Sequence, residues 1–572
     1  MQEFMINEIL AKNGESSIEI NNYLIHSKYN PTKEAKKYIE AHYRAHNLNI
    51  VFGYGSGYFV EEIIKIRNFD EKVIVIDPLL DNGMINILPK HYDVLGVKVN
   101  DIPFLESILI NLDSEIRTSF NVICTNHYDK LFPKEYKKLL QKIRDIQESN
   151  RVNDNTLILF AERWQENLAM NLTYMSKDAS LEVLKNMSEK PVIIASSGPS
   201  LLKQLPLLKE YKESIILISS GSTTNVLINN DITPDFIVTI DGGEANYKHF
   251  KNLYIKNSKL IYSFQNHYKI RNSFEGQAYV CNLSGHSHVN GYIDAFLETS
   301  IPELIAGSTV ANLSFSVAQY ISSGPIAFIG QDLAYTNNLS HVQGHNHTQN
   351  ISNNITENKG IVMIEGYFND KIATSPSMNS MRMSFEKMIL NSPPRNKFYN
   401  CTEGGAKING FEQITFEKFG DMYIKNNKNQ SIKSPLNNQF EVVGILEKEK
   451  ITAKFNKDLI KAKELITLYE KALLILDKDK SLERFKANTL KKLEFLDDKI
   501  LTLLGELPLD HILTPTVMEV KRGYLAKNDE TVYQKFNRIK KQNVKFYKNS
   551  LIGVKKFCEY LEQALKYNEV EQ

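Results

Sequence analysis

Six short apolar runs recur between residues 191 and 330: "PVIIASS", "SIILISSG", "FIVTID", "KLIYSFQ", "QAYVCNL" and "PIAFIG". Several stop abruptly at a small, hydroxyl-bearing or glycine-containing turn. Unbroken apolarity rich in Ile and Val suits strands covered on both faces, and most of the runs are separated by stretches of helical spacing or by loops. Such a pattern confines the segment to a doubly wound sheet, with any ligand lying beyond the carboxyl ends of the strands.

A similar alternation comes earlier. "NIVF", "KVIVID", "FNVICTN" and "NTLILF" read as four buried strands of a first α/β unit. Residues 166–190 read as a helical, polar connection. Beyond about residue 440 apolar residues recur at threes and fours, the mark of long amphipathic helices. At 572 residues the chain is too long for one core. The expected architecture is α/β: two Rossmann-like domains, residues 1–165 and 166–435, followed by an α-helical C-terminal domain, 436–572.

Charge and composition exclude some functions. Lys and Arg number 69 against 67 Asp and Glu, so nothing in the total favours nucleic acid as a partner. From residue 441 onward there are 26 basic and 21 acidic residues, which suits either a solvated helical surface or an acidic partner. The four cysteines are scattered without a CxxC pair, as expected for reduced thiols. With no basic-then-apolar leader and no run near the roughly 20 apolar residues a span requires, the expectation is a cytoplasmic protein with no membrane partner.

Two turns are candidates for binding chemistry. Residues 53–57, "GYGSG", follow a strand, precede a helix and are followed at the next strand end by Asp77. Glycines that admit a ligand and a carboxylate for ribose hydroxyls make a Rossmann-type cofactor site, here closer to an S-adenosylmethionine spacing than to a dinucleotide one. The same glycines can simply pack a helix tightly on a sheet. The second turn, residues 196–200, "SSGPS", offers the Gly198 backbone and the Ser197 and Ser200 hydroxyls to a phosphate or ribose, with Pro199 suited to a first helical turn. Its alternative is a plain serine N-cap.

Further strand ends should gather at the same edge: Ser220 and Gly221, Asp241 and Gly242, and Gly330, Gln331 and Asp332. Gly307, Ser308 and Thr309 open another helix. His341, His345 and His347 cluster, as do His286 and His288, but no acidic or cysteine ligand sits at metal-binding spacing. A loop histidine near Asp332 and Tyr335 suits proton transfer.

The segments "SGPSL", "ITPDFIVTIDGG", "GSTVANLSFSVAQYISSGPIAFIGQDLAY", "SHVQG" and "NCTEGGAKINGF" together resemble the motility accessory factor family, flagellin glycosyltransferases of bacteria. "IHSKYNPTKEAKKYIEAHY" resembles that family's N-terminal region. The central domain is in turn similar to bacterial sialyltransferases that use CMP-sugars, with Ser196 replacing the first glycine of their Gly-x-Gly-Pro-Ser turn. The resemblance implies transfer of a nonulosonic acid from a CMP donor to Ser or Thr of flagellin. Gly198, Pro199, Ser200, Ser308 and Thr309 would line the CMP site, and Tyr335 would lie near the phosphate.

One departure affects the general base. Where the sialyltransferase histidine would fall, this chain has Thr374 and Ser375. His341, Asp332 and Glu403 are the substitutes, in that order. Asp241 is followed by two glycines rather than by a second carboxylate, so the D-x-D pair that holds a cation for a diphosphate leaving group is missing. A metal-independent reaction without a cofactor is therefore expected. The same motifs also resemble hydroxymethylpterin diphosphokinases. A methyltransferase built on residues 53–77 and a non-enzymatic flagellin-binding protein are the remaining alternatives.

Overall fold

The computed structural model describes residues 4–45, 47–67, 71, 73–79, 94–97, 120–251, 253, 255, 257–342, 360–390, 396–425, 444–524 and 530–570. The chain is a mixed α/β protein with a helical C-terminal region, and it divides into two compact units, Met1–Thr156 and Leu157–Gln572.

The first unit opens with an antiparallel meander of β1 (Ile6–Leu10), β2 (Ser16–Ile20) and β3 (Tyr23–Leu24). A parallel sheet follows, formed by β4 (Leu48–Phe52), β5 (Val73–Ile76), β6 (Val94–Val97) and β7 (Phe120–Cys124) in the order β6-β5-β4-β7. The expected strand "NTLILF" is instead part of the helix Pro133–Leu172. Buried Asp154, Ala161, Gln165, Leu168 and Leu172 keep a helical stripe through that segment, while Ile158 and Leu159 are 49% and 76% exposed. A short apolar run took its conformation from the periodicity around it.

The second unit carries β8 (Ala179–Ser180), β9 (Val192–Ala195), β10 (Ile216–Ser220), β11 (Phe236–Thr239), β12 (Lys259–Ser263), β13 (Ala278–Leu283), β14 (Glu303–Leu304) and β15 (Ile326–Ile329). An antiparallel ribbon, β16 (Val362–Glu365) and β17 (Lys371–Thr374), precedes β18 (Phe398–Asn400) and β19 (Glu412–Gln413). The main sheet is parallel, with order β14-β13-β12-β11-β10-β9-β15-β18-β19 and β8 against β13. The chain winds outward from β9 to β14 and returns to the other side of β9 with β15. The carboxyl ends of β9 and β15 therefore flank a topological switch point, where open α/β sheets bind their ligands.

Side chains of β9 alternate between two cores. Val192 and Ile194 join the helices Val310–Ile321 and Pro376–Leu390, whereas Ile193 and Ala195 join Leu201–Tyr211 and Phe416–Tyr423. Residues 166–190 are not the polar connection expected. Leu168, Ala169, Leu172, Tyr174 and Met175 sit in one core with Leu260 and Tyr262 of the sheet and with Phe455, Leu465, Tyr469 and Phe557 of the C-terminal helices. Those helices are Lys448–Lys478, Ala487–Glu506, Asp510–Tyr524 and Val532–Val570. All four cysteines are free thiols. Among the described residues no helix is long and apolar enough to cross a membrane.

Candidate functional site

The switch point is built around one buried carboxylate. Asp332, just past β15, accepts hydrogen bonds from the Ser200 hydroxyl (2.7 Å), the Ser200 amide (3.2 Å) and the Thr336 hydroxyl (2.5 Å). Burial pushes its pKa above the ordinary carboxylate value, and those three donors act in the opposite direction. The Ser200 hydroxyl is thus spent on Asp332 and not on capping the helix Leu201–Tyr211. The turn after β9 is tied to the strand end after β15.

Three loops close on this point. The Gly198 amide donates to the Gly330 carbonyl (2.8 Å), and a Cβ at Gly198 would lie 2.1 Å from Asp332 Oδ2. Gly330 is left-handed (φ +62°), with its absent Cβ 2.2 Å from the Ser196 carbonyl oxygen. The loop after β18 completes the ring. There Ala406 N donates to the Asp332 carbonyl (2.7 Å), while a Cβ on Gly404 would strike the Ser200 hydroxyl at 2.3 Å. The Gln331 amide donates to Thr402 Oγ1 (3.2 Å), and Gln331 Oε1 accepts from the Ser196 hydroxyl (2.5 Å). Ser197 and Pro199 stay half-buried at the rim, next to the start of the helix Leu201–Tyr211.

The base candidates fall in different surroundings. The Val342 amide donates to the Ser197 carbonyl (3.0 Å), which fastens His341 beside the turn; His341 Nδ1 lies 3.1 Å from Ser340 Oγ. Tyr335 is half-buried nearby in sequence and donates its amide to Ala373. Glu403 accepts from the Phe416 amide (2.9 Å), at the start of the helix Phe416–Tyr423. Thr374 donates its hydroxyl to the Leu333 carbonyl (2.8 Å). His345 and His347 lie outside the described residues.

The other expected positions spread along the same sheet edge. Ser220 shares a hydroxyl contact with Thr223 (3.2 Å), and Gly221 makes room for the Phe250 ring. Asp241 is exposed and accepts from the Gly243 amide (2.8 Å). Gly242 is buried, and a Cβ there would meet Asn167 at 2.7 Å and Trp164 at 2.9 Å. Gly307 and Ser308 are exposed after the edge strand β14, and the Thr309 side chain caps the helix Val310–Ile321, which packs back across β9, β10 and β11. His286 and His288 follow β13, with His288 Nδ1 2.5 Å from Asp510 Oδ2.

Residues outside the sequence motifs hold this edge together. The Asn167 and Asn171 amides donate to the carbonyls of Gln265 (2.9 Å) and Asn266 (2.7 Å), stapling the loop after β12 to the helix Pro133–Leu172. Two asparagines one helical turn apart, beside the apolar Leu168 and Leu172, were the available signal. Gln204, buried in the next helix, accepts from the Gly330 amide (3.1 Å) and donates to the Cys401 carbonyl.

In the first unit, the glycine turn is filled by the protein itself. A Cβ on Gly53 would lie 2.4 Å from the Tyr128 ring, and one on Gly55 would lie 2.6 Å from His26 Nε2. The buried Asp77 accepts from Tyr54 N (2.6 Å), Leu79 N (2.8 Å) and the Tyr128 hydroxyl (3.0 Å). These glycines serve close packing, and the carboxylate that suited a ribose bonds the protein.

A sequence profile described as 6-hydroxymethylpterin diphosphokinase MptE-like matches residues 166–338. No curated protein matches the chain. Among solved structures, the MAf glycosyltransferase from Magnetospirillum magneticum AMB-1 is similar, with a TM-score of 0.54 and 14% identity over 99% of this chain and 91% of that one. From the first unit to the C-terminal helices, the chain has the fold of that MAf glycosyltransferase.

Proposed function

We propose that this protein is a glycosyltransferase of the motility accessory factor type, moving a nonulosonic acid from a CMP donor to Ser or Thr of flagellin in the cytoplasm. The observation that carries the reading is the switch-point turn, residues 196–200, which the Asp332 clamp fixes with Ser197 and Pro199 half-buried at its rim, in a fold shared with a MAf glycosyltransferase. Breaking the bond between the anomeric carbon and CMP leaves charge on a single phosphate. The Gly198 and Ser200 amides are already engaged with Gly330 and Asp332, so in this reading the Ser197 and Tyr335 hydroxyls, with the positive end of the dipole of the helix Leu201–Tyr211, meet that charge. Such a leaving group calls for no metal and the reaction for no cofactor.

His341 is the general base in this scheme. It takes the proton of the acceptor hydroxyl as that oxygen bonds the anomeric carbon and the electron pair of the old bond leaves with CMP. Asp332 and Glu403 are occupied by the hydrogen bonds that fix the loops, which suits positioning better than proton transfer. The experiment is transfer from CMP-nonulosonic acids to flagellin, read by intact mass. His341→Ala is expected to lower the rate by about 10²-fold or more while CMP still binds. Unchanged transfer in that variant removes His341 from the chemistry.

The MptE-like match over residues 166–338 favours a second reading, diphosphate transfer from ATP to a hydroxymethylpterin. That reaction requires Mg²⁺. Activity that survives EDTA separates the two.

A further inference from the structure

We infer that the tip of the C-terminal helical region is a docking groove for an acidic amphipathic helix of a partner protein. A groove of about 1130 Å³ opens between the segment 481–490 and the start of the helix Val532–Val570. Its floor is apolar: Phe485 and Phe536 meet edge to face at 4.8 Å, with Leu482, Leu490, Val532 and Ile539 around them. Leu482 and Val532 at its edge are 65% and 67% exposed. The groove is larger than the roughly 300–1,000 Å³ of small-molecule clefts, and it suits a row of side chains from one face of a helix.

The rim selects the sign of the partner. Exposed Arg484, Lys486 and Lys535 line the groove against Glu483, the one acid among its described lining residues. Residues 479–492 hold five basic and two acidic side chains, and residues 530–541 hold four and one, a net charge of +6. Three exposed basic side chains against one acid around an apolar floor fit a helix whose apolar face enters the groove and whose flanks are acidic. A concave groove between two segments also favours an inserted helix over a flat bilayer surface.

The test is selection of displayed random peptides on the full-length protein, with depletion on Leu482→Glu/Val532→Glu. Both positions are exposed, and equal melting curves verify the fold. The proposal expects groove-dependent peptides that are amphipathic and net acidic. They should bind wild-type protein at least about ten-fold more tightly than the depleting variant, and weaken by a similar factor in Arg484→Glu/Lys486→Glu/Lys535→Glu or at high salt. Enrichment of neutral or basic peptides, or of none that distinguishes the variants, overturns it. Groove-dependent flotation with phosphatidylglycerol vesicles, without acidic-peptide selection, overturns it in favour of a membrane surface. None of these readouts depends on sugar transfer.

Discussion

Asp332 connects three loops that are distant in sequence, and its loss leaves Ser200 and Thr336 with buried donors and no acceptor. Each orphaned group costs about 1–3 kcal/mol. Asp332→Ala should therefore lower the urea midpoint clearly. Ser200→Ala should cost about 1 kcal/mol alone and almost nothing in the Asp332→Ala background, because the partner is already gone. Additive losses in that cycle would contradict the clamp. Gly330→Ala should also be costly, since it forces a side chain into a left-handed backbone 2.2 Å from the Ser196 carbonyl oxygen. The sequence marked both loops as turns near a ligand. What it left hidden was that Gly198, Gly330 and Gly404 are small because the loops pack on one another, a contact set by long-range topology.

At the scale of elements, the strands β9 to β13 and β15 were legible because buried parallel strands are short, apolar and bounded by turn residues. "NTLILF" was not, since a strand-like run of this length carries no period of its own and the surrounding helical stripe decided it. β14, β18 and β19, each two or three residues long, are too brief for any pattern to register. The helix Asp510–Tyr524 brings His511 to 5.6 Å from Trp164, the single tryptophan of the chain. Burial, with His286 adding repulsion, pushes the His511 pKa down to about 3. The folded state thus resists a proton that the unfolded chain accepts near pH 6.5. Stability from this group is complete above that pH and is lost as pH falls from there toward 3, with a slope of up to about 1.4 kcal/mol per pH unit. Trp164 emission should stay flat from pH 7 to about 4.5 unless the protein unfolds, and the stability slope should shrink in His511→Gln. An emission step centred near pH 6 in folded protein would contradict the buried neutral imidazole.

At the scale of the whole molecule, the amphipathic C-terminal helices were legible from their spacing. Their attachment was not. Apolar stripes declare that a helix has a buried face, but the partner of that face, here partly Leu260 and Tyr262 of the sheet, is set by tertiary packing. The proposed glycosyl transfer requires the crevice between β9 and β15 to take CMP. Calorimetric titration of the full chain with CMP, ADP and S-adenosylhomocysteine in EDTA, repeated on Ser197→Ala, tests it most directly. The expected result is saturable binding of CMP alone, weakened about ten-fold in the variant. Silence with CMP, or binding of ADP or S-adenosylhomocysteine in its place, would contradict it.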